Sequence, residues 1–157
     1  MTRSGYKRIT IRSGPFGPLR EERMAGAALT PGELLERNSA GNLIPHGTGG
    51  GFVGEVLVAM ETQHADAPGT DQISVDYGSG DIAYYAVGQP GDVFYMFLKG
   101  SDQAYEGSAL TSDGAGALQH LSAPGTDETA GSIVAVAEED KNNSTNGSRV
   151  RIKARIV

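Results

Sequence analysis

At 157 residues and 16.3 kDa the chain is one domain by length. Its 23 glycines and its lack of Trp favour turn-dense β structure, and its lack of Cys excludes disulfides, thiolate metal sites and a cysteine nucleophile. The net charge of −6 is segregated: residues 1–37 carry seven Lys/Arg against four Asp/Glu, residues 38–140 carry Lys99 against fifteen acids, and residues 141–157 carry five bases and no acid. An acidic middle repels phosphate, so nucleic acid is not an expected partner. With no apolar run near 18 residues and no h-region at the N-terminus, no membrane partner is expected, and the chain is expected to be soluble and unprocessed. The basic ends either dock on an acidic surface or pair with the chain's own acidic middle.

Residues 6–12 alternate around Ile9 and Ile11, which suits a strand. Ser13-Gly14-Pro15-Phe16-Gly17-Pro18 and Arg20-Glu21-Glu22-Arg23 then read as irregular, so residues 1–23 are expected to form an extended basic arm with Phe16 and Leu19 as apolar anchors. Residues 24–157 are expected to form a single β domain.

A pattern inside that domain occurs twice. Gly32, Leu35, Gly41 and Leu43 recur as Gly107, Leu110, Gly116 and Leu118, 75 positions on, each time around a polar turn. Each copy is a hairpin candidate. Each is followed by a small apolar run, Val56 to Met60 and Val134 to Ala137, so two related hairpin-plus-strand units are expected at about 30–61 and 105–139. Thr30-Pro31-Gly32-Glu33 carries a capping-box signature, but its echo at 107 does not, and a hairpin is preferred over a helix.

Ile73, Val75 and Tyr77 alternate as a strand would, and Gly78-Ser79-Gly80-Asp81 is a turn leading to Ile82–Val87. Val93-Phe94-Tyr95-Met96-Phe97-Leu98 is the most apolar run, which indicates a strand buried on both faces or a subunit interface formed by Val93, Phe94, Tyr95 and Phe97. Residues 138–148 read as a solvated loop. Residues 149–156 alternate cleanly, with Val150, Ile152, Ala154 and Ile156 on one face and Arg149, Arg151, Lys153 and Arg155 on the other. About ten strands and no long helix make an all-β sandwich or barrel.

Chemistry-bearing patterns are weak. His46-Gly47-Thr48-Gly49-Gly50-Gly51 lacks the Lys-Ser/Thr ending of a phosphate loop, and His46, His64 and His120 have no spaced partner for zinc. Asp76, Asp81, Asp102 and Asp113 sit in turns without a calcium-loop pattern, and nothing specifies a nucleophile. No cofactor, no metal and no enzyme activity are expected.

The stretch Met24 to Glu36, the Gly41-x-Leu43-x-Pro45-His46 step and Val58-Ala59-Met60-Glu61 resemble the opening of a family of tailed-bacteriophage head decoration, or cement, proteins. Tyr84-x-x-Val87, Pro90-Gly91-Asp92, Gly107-x-x-Leu110, Gly116-x-Leu118 and Ile133 to Ala137 follow in the same order, so the resemblance covers roughly residues 20–157. It implies a non-enzymatic virion protein, made in the host cytoplasm, that binds the outer capsid surface and stabilises contacts between major capsid subunits. The partners implied are the major capsid protein and further copies of the chain, as a homodimer or homotrimer. On this reading Arg3, Lys7, Arg8, Arg12, Phe16, Arg20 and Arg23 are the candidate capsid contacts. The alternative is a carbohydrate- or receptor-binding module using Tyr84, Tyr85, Tyr95 and Tyr105.

Overall fold

The structure is a computed structural model that describes residues 8–48, 53–62, 72–121 and 133–157. These residues form thirteen strands: β1 (Thr10–Arg12), β2 (Leu19–Met24), β3 (Leu34–Arg37), β4 (Leu43–Pro45), β5 (Leu57–Ala59), β6 (Ile82–Val87), β7 (Val93–Leu98), β8 (Gln103–Ala104), β9 (Ala109–Ser112), β10 (Leu118–His120), β11 (Ala135–Ala137), β12 (Lys141–Asn142) and β13 (Val150–Ile156). The fold is all-β, and it is a barrel rather than a flat sandwich. Strands β7, β10, β9, β11 and β13 close on themselves, because β13 also pairs with β7. A second sheet runs β2-β6-β5-β3-β4, and its two ends meet where Ala25 bridges Leu43.

The two five-stranded units match bond for bond. β3 pairs with β4 as β9 pairs with β10, Leu35 opposite Pro45 and Leu110 opposite His120. β5 lies on β3 as β11 lies on β9, Leu35 opposite Leu57 and Leu110 opposite Ala135. Closure is alike too: Gly26 N–H donates to Leu43 O at 2.7 Å, and Lys99 N–H to Leu118 O at 2.8 Å. Within each hairpin turn one side chain organises the loop. Asn38 Oδ1 accepts from Ala40 and Asn42 N–H, and Asp113 Oδ1 accepts from Ala115 and Ala117 N–H. Gly41 and Gly116 hold φ of 81° and 83°, a left-handed conformation that glycine adopts without a Cβ penalty. The capping-box residues make a turn and no helix: Glu33 Oε1 accepts from Thr30 N–H at 2.8 Å, and Ser108 Oγ does the same for Tyr105 at 3.0 Å.

Packing explains the apolar runs. Leu35, Leu57, Ala59 and Tyr85 fill the first unit, while Leu34, Val58, Met60 and Ala86, on the opposite faces of the same strands, pack into the core of the second. Strands β3, β5 and β6 are therefore apolar on both faces over these residues because a barrel lies on each side.

Several expectations change. The described part of segment 1–23 is built into the sheets: β1 pairs with β7, β2 pairs with β6 along six residues, and 13–18 connects them. β2 escapes sequence reading because Leu-Arg-Glu-Glu-Arg-Met has no period-two alternation, and all six residues are exposed. Of the run Val93 to Leu98, Val93, Phe94 and Phe97 are buried within their own chain and Tyr95 is half-buried, as in a strand covered on both faces. Ile73 lies in a 3-10 turn, Gln72–Ser74, and Tyr77 makes a single bridge with Leu29. The loop at 138–148 contains β12, paired with β8.

Candidate interaction surface

Of the residues expected to meet a partner, Arg3 and Lys7 lie outside the described residues. Arg8 and Arg12 flank β1 at the edge of the closed barrel, Arg20 and Arg23 lie on β2 at the edge of the other sheet, and Phe16 caps the connection between them. That connection turns at Gly14, whose carbonyl accepts from Gly17 N–H at 3.0 Å, and it leaves Phe16 99% exposed. Five of the seven exposed large apolar residues among the described residues belong to this strip: Ile11, Phe16, Leu19 and Met24, with Ile82 directly opposite Met24. Sequence reading found Phe16 and Leu19 and missed Ile82, which only strand pairing brings here.

The charges of the strip are partly met from within. Arg12 lies 3.6 Å from Glu138, Arg20 lies 3.8 Å from Glu61, and Arg23 donates to Gly41 O at 2.9 Å. Arg8 borders a shallow cavity of about 390 Å³ with Arg20, Glu61, Thr62 and Gln72.

The basic face of β13 is largely internal machinery. Arg149 pairs with Glu33 at 3.0 Å and Arg155 with Glu138 at 2.6 Å. Arg149 and Arg151 stack on the Phe97 ring at 4.1 and 4.4 Å. Arg151 also donates to Pro31 O at 2.8 Å and Ile73 O at 2.6 Å, which ties loops of the first unit to a strand of the second. Of the two readings of the basic ends, internal pairing with acids holds for Arg149 and Arg155.

His46 joins the two hairpins. Its Nδ1 lies 2.7 Å from Ser112 Oγ and its Nε2 3.6 Å from Glu36. The trio has the composition of a hydrolase triad without its geometry. Ser112 is fully buried, and its Oγ also accepts from Gly114 N–H. A cavity of about 160 Å³ beside His46 is lined by Glu36, Arg37 and Glu55; Arg37 pairs with Glu55, and the Tyr85 hydroxyl and Glu55 together raise its pKa.

The tyrosine platform does not assemble. Tyr85 is buried with its hydroxyl on Glu21, Tyr84 and Tyr95 are half-buried, and Tyr105 alone is exposed. Asp81, Asp102 and Asp113 bond backbone N–H groups of their own turns or of a neighbouring strand, and no three-ligand cluster of His, Asp or Glu occurs among the described residues.

No family model matches the chain, and no curated protein sequence does. Among solved structures, the crystal structure of the head fiber gp8.5 N base in bacteriophage phi29 is similar, with a TM-score of 0.52 at 12% identity over 90% of this chain and 95% of that one. The likeness at this identity is one of fold, and it takes in nearly the whole of both chains.

Proposed function

We propose that the chain is a structural protein of a phage head, bound to the outer surface of the icosahedral shell, where it stabilises contacts between major capsid subunits. The observation that carries this reading is the fold likeness to a head-fiber base across nearly the full length of both chains. The composition supports it: a turn-rich β body without a cofactor motif is suited to static binding, and weak contacts repeated over a symmetric lattice add through avidity.

The contact surface in this reading is the strip around the 13–18 connection, with Phe16 as its apolar anchor and Arg12 and Arg20 on the strand ends that adjoin it. Phe16 is 99% exposed and packs on no other described residue, so Phe16→Asp leaves the fold intact. Co-sedimentation with shells assembled from the major capsid protein of the same genome is expected to weaken about tenfold or more, equivalent to roughly 1.4 kcal/mol or more. Undiminished binding of Phe16→Asp removes the strip from the contact. Failure of the unaltered chain to bind shells, or to raise their melting temperature, removes the cement role.

A further inference from the structure

Matching the two units position by position exposes one difference at a strand edge. In the closed barrel the outer edge of β7 is filled by β1: Tyr95 N–H donates to Ile9 O at 2.7 Å, and Thr10 and Arg12 stand opposite Phe94 and Val93. In the other unit β2 takes the place of β7. Ala25 N–H bonds Asp81 O on the β6 side, and the β2–β6 ladder runs without a register shift. Hydrogen bonds along an antiparallel strand alternate in direction, so residues 19, 21 and 23 also point toward β6, and the backbone groups of Arg20 and Glu22 point away from it. Among the described residues β4 meets that edge only past the end of β2, at Ala25 and Gly26, no strand covers Arg20 and Glu22, and Glu22 has the position that Tyr95 has in the closed barrel.

We propose that the open edge of β2 pairs antiparallel with β2 of a second copy across a two-fold axis, joining two five-stranded sheets into one. The charges select this occupant. Outward-pointing residues can lie opposite only outward-pointing residues, so the palindrome Arg20-Glu21-Glu22-Arg23 cannot align Arg20 with Arg23. Centred on Glu21, in the window that β1 occupies on β7, the pairing sets Arg20 opposite Glu22 of the second copy, twice by symmetry. Among the described residues Glu22 has no ion-pair partner, and Arg20 is only loosely held by Glu61 at 3.8 Å. Glu21 meets Glu21 of the second copy on the axis, which weakens the pairing and keeps the contact reversible. A strand added to an exposed edge supplies backbone bonds, and its side chains set the register.

Sedimentation equilibrium of the full chain over a wide concentration range tests this. A monomer–dimer equilibrium is expected. Glu22→Pro removes an N–H that points away from β6, so it leaves the intrachain ladder whole and is expected to weaken the dimer at least tenfold. Arg20→Glu and Glu22→Arg each weaken it, the double variant restores it, and Glu21→Gln tightens it. A chain that stays monomeric, or an oligomer of any order that Glu22→Pro leaves intact, overturns the proposal. Restoration failing in the double variant overturns the register. Binding to capsid shells that Glu22→Pro abolishes in a monomeric chain assigns the edge to the shell instead of a second copy.

Discussion

Gly32 and Gly107 occupy the same turn in the two units, with φ of 96° and 89°. Both are strained by any side chain, at about 1–2 kcal/mol. Their surroundings differ: a Cβ at Gly107 meets open space, whereas one at Gly32 runs into Arg151 Nη1 and comes 2.7 Å from Tyr95 O. Gly107→Ala should therefore cost about 1–2 kcal/mol and Gly32→Ala a further 1–3 kcal/mol or so from overpacking, read from denaturant midpoints. The difference between the two measures how tightly the units are clamped at Arg151. Tyr77 offers a second residue-level test. It is buried, its hydroxyl donates to Met60 O at 2.8 Å, and burial pushes its pKa up to about 12. An unfolded tyrosine ionises near 10, so on raising the pH the unfolded chain loses this proton first. The stabilisation is complete below pH 10 and falls between pH 10 and about 12, by roughly 2–3 kcal/mol in all. Alkaline unfolding followed with phenolate absorbance should show that loss, and Tyr77→Phe should remove it from the pH profile.

At the scale of elements, the hairpin turns are interchangeable in mechanism although different in sequence. Asn38 and Asp113 each hold two backbone N–H groups through one side-chain oxygen. Asp113→Ala should lose roughly 1–2 kcal/mol, and Asp113→Asn, which copies the other turn, should be close to neutral in thermal denaturation. The barrel interiors show why the echo in the sequence is faint. Tyr85 takes the place of Ala154, Leu57 that of Ala135, and Ala83 that of Ile152, so a large residue in one unit stands for a small one in the other. Close packing conserves total volume and leaves individual identities free. What persisted is what the backbone demands: glycines with positive φ and the leucines beside the turns.

For the whole molecule, contacts that join the units include the Arg149–Glu33 pair, the Arg151 clamp, the His46–Ser112 hydrogen bond and the backbone bonds of Gly116 with Leu34 and His46, above a shared apolar layer of Leu34, Val58, Met60 and Ala86. The two barrels should consequently unfold in one transition, with tyrosine near-ultraviolet signal and far-ultraviolet signal coincident. Separate transitions would mean that the shared layer does not couple them. On this body the exposed strip from Ile11 to Met24 is the outlier, with Phe16 wholly in water and, among the described residues, Arg20 and Glu22 of β2 uncovered on one side. The proposed shell contact and the proposed self-pairing draw on neighbouring but different parts of it, the 13–18 connection and the outer edge of β2.

The all-β class, both hairpins, β6, β7 and the alternation of β13 were legible in the sequence, because turn glycines and period-two patterns are local consequences of backbone geometry. β2 was not: an exposed, charged strand has no pattern to read, and it is a strand only because β6 offers it a ladder. Nor could the sequence tell that the apolar run at Val93 to Leu98 is covered by its own chain, or that the arginines of β13 pair inward. Both depend on which distant segments meet, since burial and ion pairing are properties of the neighbours that the tertiary structure supplies.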